Sequence, residues 1–482
     1  MSGAIRTSWQ LWRAPRARTV ADRAYLGYMG ILLALVTIAP LARGMWMLVT
    51  DPVVTAWLLP EVASAEAALI IAAVWVAALV TGRFRGPVVF APFLAFAFSA
   101  SPIPRRHAHA RPFWRAAITM TLIGTLVAAL VSAAWAAQGA ATLMGLAGLI
   151  VAGAACGMIA AVLWLFGQCA SVRATGIVVV LLATVGAAVA AARMALLVPV
   201  GATLLAACAV VAAALVPWML DRLHAEMALA QSVRWEAAQL HAGVLDLSAS
   251  AATYQALPRG RHRFFAIRRA GRLATRILIR DGIAATRTPA RLVAGAAGLL
   301  VAGGLMMLAL ASPSILVAAI AGLVTYVAVG PLTDGLRHAA DASAALPLYG
   351  VSDLALVASH VVFPLLAAMV LLVLGGAAVL LWLPAALPLA ASWAASIVLA
   401  LTSVGGRLMG ALKPPMPVAL LVPMPTPMGD MAALARMVWA IDGVVVAVFA
   451  GVAASMILSA PWMPVVMLAG GLAVIAHRWN RR

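Results

Sequence analysis

Two apolar runs decide the fold of this chain: AITMTLIGTLVAALVSAAWAA at residues 117–137 and LMGLAGLIVAGAACGMIAAVLWLF at residues 143–166. A helix rises 1.5 Å per residue, so these runs cover roughly 31 and 36 Å. The hydrocarbon core of a bilayer is about 30 Å thick, and each run is therefore long enough to cross it. A third run, at residues 361–383, has the same character. The pattern predicts an all-α integral membrane protein.

The composition of the chain also indicates that lipid is its solvent. The chain is 65% hydrophobic and 10% charged, whereas soluble domains are about 45–50% apolar and about 25% charged. The formal net charge of +19 would indicate nucleic-acid binding only if a basic folded domain lay outside the membrane. The sequence contains no such domain, so we expect no nucleic-acid partner.

The apolar runs predict about 12 transmembrane helices in two pseudo-symmetric six-helix halves. The first six spans are expected at residues 25–41, 67–80, 117–137, 143–166, 176–192 and 200–220. The second six are expected at residues 292–310, 315–329, 361–383, 387–401, 443–458 and 465–476. The predicted domains are thus a first half at residues 1–220, a cytoplasmic linker with a basic amphipathic helix at 221–291, and a second half at 292–482.

The distribution of basic residues predicts the orientation. If the chain is threaded through the bilayer at every span, only Arg43 and Arg193 fall on the face opposite to all other Lys and Arg residues. Basic residues near spans are retained on the cytoplasmic side. We therefore expect a multi-pass protein with both termini in the cytoplasm. The two halves then run in the same direction, which implies a pseudo-twofold axis along the membrane normal.

Each half is predicted to begin with a basic interfacial elbow helix. In the first half Trp9 and Trp12 recur at helical spacing among arginines, and in the second half Phe264 lies close to Arg268 and Arg272. A basic helix with one apolar face lies in the plane of the membrane interface. These five residues are the predicted lipid-interface anchors, and membrane lipids are predicted partners.

Two apolar stretches do not fit the span pattern. Residues 88–100 are too few to span and have arginines on both flanks, which predicts a re-entrant or interfacial segment. Residues 414–430 are rich in Pro and Met, and the sequence assigns them neither to water nor to lipid. Small-residue pairs such as Gly153 with Gly157, and the adjacent Gly375 and Gly376, are interpreted as helix-packing positions.

The chain lacks a nucleotide-binding loop of the Walker type. Such a loop needs Gly-Lys followed by Ser or Thr, and the only lysine, Lys413, is followed by Pro414 and Pro415. We therefore expect no enzyme activity, no catalytic residue and no cofactor in this chain. If transport uses ATP, the ATP and Mg²⁺ must bind to another polypeptide.

Three groups of residues are candidate catalytic or metal sites, since such sites need clustered acid, base or ligand groups. His107 and His109 lie among arginines that would repel a cation, so we interpret them as part of a solvated basic loop. The second group is the pair Asp353 and His360. The third group could share one face of a helix: Asp334, His338 and Asp341. The same residues also suit a helix that emerges from the membrane, with an Asp residue paired with Arg337. No metal site is predicted.

The basic elbows, the segment Ser101-Pro102-Ile103-Pro104-Arg105-Arg106 and a second segment, Leu346-Pro347-Leu348, resemble the permeases of ABC-2-type exporters. More closely, the chain is similar to uncharacterised actinobacterial large permease-like proteins that fuse two six-span units. That similarity extends to Leu245-Asp246-Leu247-Ser248 and Arg280-Asp281-Gly282-Ile283 in the linker, and the excess of Arg over Lys suits a high-GC genome.

The resemblance implies a plasma (inner) membrane permease that binds two ABC ATPase subunits on its cytoplasmic face. Docking in that family uses short cytoplasmic helices between spans, which by position correspond here to residues 101–111 and 346–353. The docking candidates that follow from it are Pro102, Pro104, Arg105, Arg106, Pro347, Tyr349 and Asp353. The substrate of such an exporter is expected to be amphipathic or hydrophobic, such as a peptide, lipid or natural product.

Other functions remain open at the level of sequence. A secondary transporter without an ATPase is disfavoured because the predicted spans contain no mid-membrane carboxylate, where ion-coupled transporters usually place titratable groups. A membrane-embedded enzyme would depend on the interfacial His and Asp residues. A scaffold would bind partners without moving a substrate.

Overall fold

The computed structural model is that of an all-α integral membrane protein, as the sequence predicts. It describes residues 19–52, 54–55, 60–139, 142–191, 199–255, 271–312, 314–343, 350–380, 388–414, 416–422, 424–426 and 429–481. The chain divides into two compact units, Met1–Tyr254 and Gln255–Arg482. They are called unit 1 and unit 2.

The helices of unit 1 are α1 (Val20–Leu33), α2 (Ala39–Val49), α3 (Pro60–Phe84), α4 (Pro92–Ala100), α5 (Arg105–Ala108), α6 (Ala110–Ala137), α7 (Leu143–Cys169), α8 (Val172–Ala191), α9 (Pro199–Ala214), α10 (Val216–Asp221), α11 (Ala225–Gly243) and α12 (Leu247–Ala252). A π-helical stretch, Ala34–Ile38, joins α1 to α2. Local sequence explains several starts: the Thr142 side chain accepts a hydrogen bond from the Gly145 N–H and caps α7.

The helices of unit 2 are α13 (Leu273–Thr286), α14 (Pro289–Ala311), α15 (Ile315–Val329), α16 (Asp334–Ala342), α17 (Asp353–Leu380), α18 (Leu389–Ala411), α19 (Met431–Ser455) and α20 (Trp462–Asn480). Two short strands, β1 (Pro425–Thr426) and β2 (Gly429–Asp430), pair antiparallel before α19. Pro289 opens α14, where a missing N–H costs no helical hydrogen bond.

Within the described ranges, eleven helices are long and apolar enough to cross a membrane. They correspond to the last eleven of the twelve predicted spans. The first predicted span falls on the continuous helical run from α1 through the π-helical stretch to α2. This run has 30 residues, from Val20 to Val49, and is about 45 Å long, so it exceeds the thickness of the hydrocarbon core.

Five pairs of packed spans recur, by order, in the two units. In unit 1 the packed pairs are α2–α6, α3–α7, α3–α8, α6–α7 and α7–α9. In unit 2 they are α14–α17, α15–α18, α15–α19, α17–α18 and α18–α20. If α2 and α14 are each counted as span one, both sets read one–three, two–four, two–five, three–four and four–six. Unit 2 additionally packs α14 on α15, α18 and α19, and α19 on α18 and α20.

Glycines mark the closest approaches between spans. A Cβ atom on Gly157 would lie 2.3 Å from the Met120 carbonyl oxygen of α6, and one on Gly375 would lie 2.0 Å from the Leu300 carbonyl oxygen of α14. Only a residue without a side chain permits these contacts. The interpretation of these glycines as packing positions is confirmed.

The stretch predicted as a linker, residues 221–291, contributes to both units. α11 and α12 belong to unit 1, where α11 packs on α4. α13 belongs to unit 2, where it packs on α17. Short surface helices in this stretch are thus parts of the helical units themselves.

The apolar stretch 88–100 forms the nine-residue helix α4, which covers only about 13 Å. Leu94, Ala95 and Phe98 are buried, whereas Phe93 and Phe96 are 74% and 59% exposed. This helix is too short to span the membrane, and its exposed aromatic side suits the predicted re-entrant or interfacial segment.

Candidate functional site

The first candidate docking segment lies between α4 and α6 and is built around α5. Pro104 immediately precedes α5, and its backbone is extended there. Arg105 Nη1 donates a hydrogen bond to the Leu223 carbonyl oxygen at 2.6 Å. The Arg106 backbone N–H donates to Asp221 Oδ1 at 2.9 Å, and Arg106 Nε lies 3.9 Å from Asp221 Oδ2. The segment is therefore fixed to the end of α10.

The outer surface of the same segment is polar and accessible. Pro102, Arg106 and His107 are exposed, and Arg105 is half-buried. Because Arg105 is used inside the fold, Arg106 and His107 are the side chains that a partner protein could reach. Of the two adjacent candidates, the Arg105 side chain is hydrogen-bonded inside the fold, whereas the Arg106 side chain is exposed at the surface.

His109 does not lie in a solvated loop, and that expectation was wrong. Its side chain is buried, and its ring centroid lies 5.4 Å from that of Phe90. The helical turn of α5 points His107 outward and turns Ala108 and His109 inward, toward the core around Phe113. Burial first, and the positive charge of Arg105 second, lower the pKa of His109 to about 4.

Two buried glutamines hold the loop that follows α3. Gln231 Oε1 accepts a hydrogen bond from the Gly86 N–H at 2.7 Å, and Gln231 Nε2 donates to the Gly82 carbonyl oxygen at 3.1 Å. Gln168 exchanges two hydrogen bonds with the backbone of Val88, at 3.2 and 2.9 Å, and donates to Gln231 Oε1 at 3.0 Å. The sequence analysis did not predict this network. The one signal that could have indicated it is Gln168, a polar residue at the end of the apolar helix α7.

The second candidate docking segment is described only in part. Pro347 and Tyr349 lie outside the described residues, and Asp353 is the half-buried first residue of α17. On the preceding helix, α16, the carboxylate of Asp334 forms two hydrogen bonds with the guanidinium of Arg291, at 2.7 and 3.1 Å. This pair joins the start of α16 to the first turn of α14.

Of the predicted lipid anchors, Trp9, Trp12, Phe264 and Arg268 lie outside the described residues. Arg272 immediately precedes α13. Along this helix the buried side chains recur every fourth residue, as do the exposed arginines. The buried set is Ile277, Asp281 and Ala285, and the exposed set is Arg272, Arg276 and Arg280.

A buried hydrogen bond between a carboxylate and an imidazole joins α13 to α17. Asp281 Oδ2 lies 2.6 Å from His360 Nδ1, and the two side chains are only 6% and 3% exposed. The backbone of Gly335 lies against the carboxylate, since a Cβ atom there would be 2.5 Å from Asp281 Oδ1. The sequence offered Asp353 as the partner of His360. The observed partner is 79 residues distant, and neither periodicity nor spacing indicates it.

In the described part of the chain, no group of three or more His, Cys, Asp or Glu residues could hold a metal ion. Asp334, His338 and Asp341 are exposed on α16, and the observed partner of Asp334 is Arg291, whereas the sequence suggested Arg337.

Comparison of the chain with protein-family models, with curated proteins and with solved structures gave no match in any of the three. The functional argument therefore depends on the architecture and on the contacts described above.

Proposed function

We propose that this multi-span protein is the permease of an ATP-driven exporter of the ABC type. In this proposal it lies in the plasma membrane with both termini in the cytoplasm. Two copies of a separate ABC ATPase subunit bind it, and they hold the ATP and Mg²⁺. The chain itself then has no catalytic role.

The observation that carries the proposal is the way in which α5 is fixed to unit 1. A docking helix must pass a displacement to membrane spans. α5 leads directly into α6, and the Arg105 side chain and the Arg106 backbone N–H fix it to Leu223 and Asp221 at the end of α10. A force on the exposed surface of this short helix would therefore reach two spans.

The shared order of packed spans supports an internal repeat, and hence one docking segment in each unit. α13 occupies the position of an elbow, since it precedes the first span of unit 2 and presents arginines on its outer side. Its buried Asp281–His360 pair links it to α17, the span that follows the second candidate segment. Displacement of either element would thus be felt by the other.

An exporter with an apolar or amphipathic substrate suits these units. The side chains buried in the spans are mostly Ala, Leu, Val and Met. We expect a transport path between such spans to be mainly apolar, where a charged solute would not recover its lost hydration.

The Asp281–His360 pair also favours one alternative, a secondary transporter. An ionisable pair buried at the base of a span is typical of proteins that couple transport to an ion gradient. That protein would transport its substrate without an ATPase, and this distinguishes the two proposals.

The test is purification of the tagged chain from its native membrane, followed by mass spectrometry and an ATPase assay. We expect a stoichiometric ATPase subunit. Arg106→Glu should lower its recovery at least tenfold, equivalent to roughly 1.4 kcal/mol of binding free energy. Arg173→Glu is the matched control, because Arg173 is exposed at the same end of unit 1 but lies outside the segment.

Variants with unchanged gel-filtration profiles are compared, so that misfolding is not mistaken for lost docking. A preparation of the unmodified chain without any ATPase would contradict the exporter proposal. Secondary transport would then be the better explanation.

A further inference from the structure

The ends of α18 and α20 meet α19 of unit 2 at one ion cluster, formed by Lys413, Asp442 and Arg478. Lys413 Nζ lies 2.9 Å from Asp442 Oδ1, and Arg478 Nη2 lies 2.7 Å from Asp442 Oδ2. Lys413 also donates to the Trp439 carbonyl oxygen, and its ammonium lies 3.8 Å from the centroid of the Trp439 ring. Hence the ends of α18 and α20 are level with residues 439–442 of α19.

This level marks the membrane interface. Trp, Lys and Arg side chains concentrate where the hydrocarbon core meets the headgroups, and Trp439, Lys413 and Arg478 coincide here. α18 has 23 residues and is therefore about 34 Å long. It fills the hydrocarbon core and ends close to the cluster.

The described residues 416–422, part of the apolar segment 414–430, lie just outside this level. Arg436 precedes Trp439 by three residues of helix, which is about 4.5 Å. Its Nη1 donates to the Leu420 carbonyl oxygen at 2.7 Å. The headgroup layer is roughly 5–8 Å thick on each side of the bilayer, so Leu420 is held within it.

The outer surface of the segment is apolar. Residues 414–429 contain no charged side chain, and Thr426 supplies their only hydroxyl. Val418, Val422 and Met424 are 76%, 60% and 58% exposed, and the first two flank Leu420. Apolar side chains held at this depth are stabilised by the boundary between headgroups and acyl chains.

The excess of basic residues around the segment favours lipids with anionic headgroups. Lys413, Arg436, Arg478 and Arg481 stand against two carboxylates, Asp430 and Asp442. Basic groups beside an apolar interfacial surface attract anionic headgroups.

We infer that residues 416–422 form a lipid-binding insertion, which immerses Val418 and Val422 at the acyl boundary of an anionic leaflet. The insertion anchors the ends of α18 and α19 to that leaflet. This inference does not depend on the proposed export function.

The test uses nitroxide labels on the full chain in vesicles of phosphatidylcholine and phosphatidylglycerol at a 3:1 ratio. Single cysteines replace Val418 or Val422 after Cys156, Cys169 and Cys208 are changed to Ala. Power saturation then compares accessibility to oxygen, which concentrates in lipid, with accessibility to a water-soluble nickel chelate. Phe449→Cys, exposed in the middle of α19, is the lipid control, and Asp341→Cys, exposed on α16, is the water control.

We expect the oxygen-to-nickel ratio at both loop sites to be at least twice that of the Asp341→Cys control. A ratio equal to that control would overturn the inference and leave the segment in water, available to a protein partner. In vesicles of phosphatidylcholine alone, both sites should move towards the water control. An unchanged ratio there would overturn the assignment of anionic headgroups.

Discussion

The side chain of Gln231 is wholly buried and bonded to the backbone of the loop after α3. A glutamine is expensive to bury unless its amide is fully bonded, so its position on α11 fixes both α11 and the loop. The consequence at the scale of the residue is that unit 1 depends on polar contacts as well as on packing.

Gln231→Leu should destabilise unit 1 by about 1–3 kcal/mol, because it keeps the volume but leaves buried backbone groups without partners. The measurement is thermal unfolding in detergent. Gln239→Leu, at an exposed position of the same helix, is the control and should change little. Equal effects of the two substitutions would show that the network contributes nothing.

His109 gives the fold a dependence on pH. Its pKa is lowered from 6.5 to about 4 in the folded chain, mainly by burial. Between these values the unfolded chain binds a proton that the folded chain does not, so stability falls as the pH falls from about 6.5 to about 4. The full loss is up to about 3 kcal/mol.

The measurement is the midpoint of thermal unfolding as a function of pH. His109→Phe should flatten the curve over this range, whereas His107→Gln, at the exposed neighbour, should not. The same curve for His109→Phe and for the unmodified chain would contradict this assignment.

Much of the site at this scale was beyond sequence reasoning. The segment 101–106 stood out by its Pro and Arg residues, but only the fold shows that Arg105 is bonded inward while Arg106 is exposed. The Asp281–His360 pair joins residues far apart in the chain, and local pattern carries no signal for such a contact. The same holds for Gln231, which the sequence placed in a linker.

At the scale of the element, the spans were predictable because length and hydropathy alone define them. Their inner ends were not. α6 begins at Ala110 and α17 at Asp353, seven and eight residues before the predicted starts, because a helix continues through the headgroup layer, where polar residues are tolerated. Those extra turns carry His360, and they explain why its position in the fold was missed.

Glycine contacts set the distance between spans. Gly375→Ala would place a Cβ atom 2.0 Å from the Leu300 carbonyl oxygen, forcing α14 and α17 apart. We expect a loss of about 1–3 kcal/mol in the stability of unit 2, measured by thermal unfolding in detergent. Gly470→Ala on α20 meets nothing within 4 Å and should be neutral or stabilising by up to about 1 kcal/mol. Similar destabilisation by both would disprove the close contact.

At the scale of the whole molecule, five pairs of packed spans recur in the two helical units. The sequence indicated a repeat only through the similar basic and proline-containing segments between its spans. The number of crossings decides how the chain lies in the membrane. Eleven spans are defined by their own length and composition, and we propose that the helical run of residues 20–49 is the twelfth. An odd number would put the two ends on opposite faces, and an even number puts them on the same face.

The most direct test of this account is therefore the side of the membrane on which each end lies. Protease-cleavable tags at both ends would be digested in intact spheroplasts and in inverted vesicles. The account predicts that both tags are protected in spheroplasts and cleaved in inverted vesicles. An amino-terminal tag cleaved in spheroplasts, with the carboxy-terminal tag protected, would show that residues 20–49 do not cross the membrane and would contradict the twelve-span architecture.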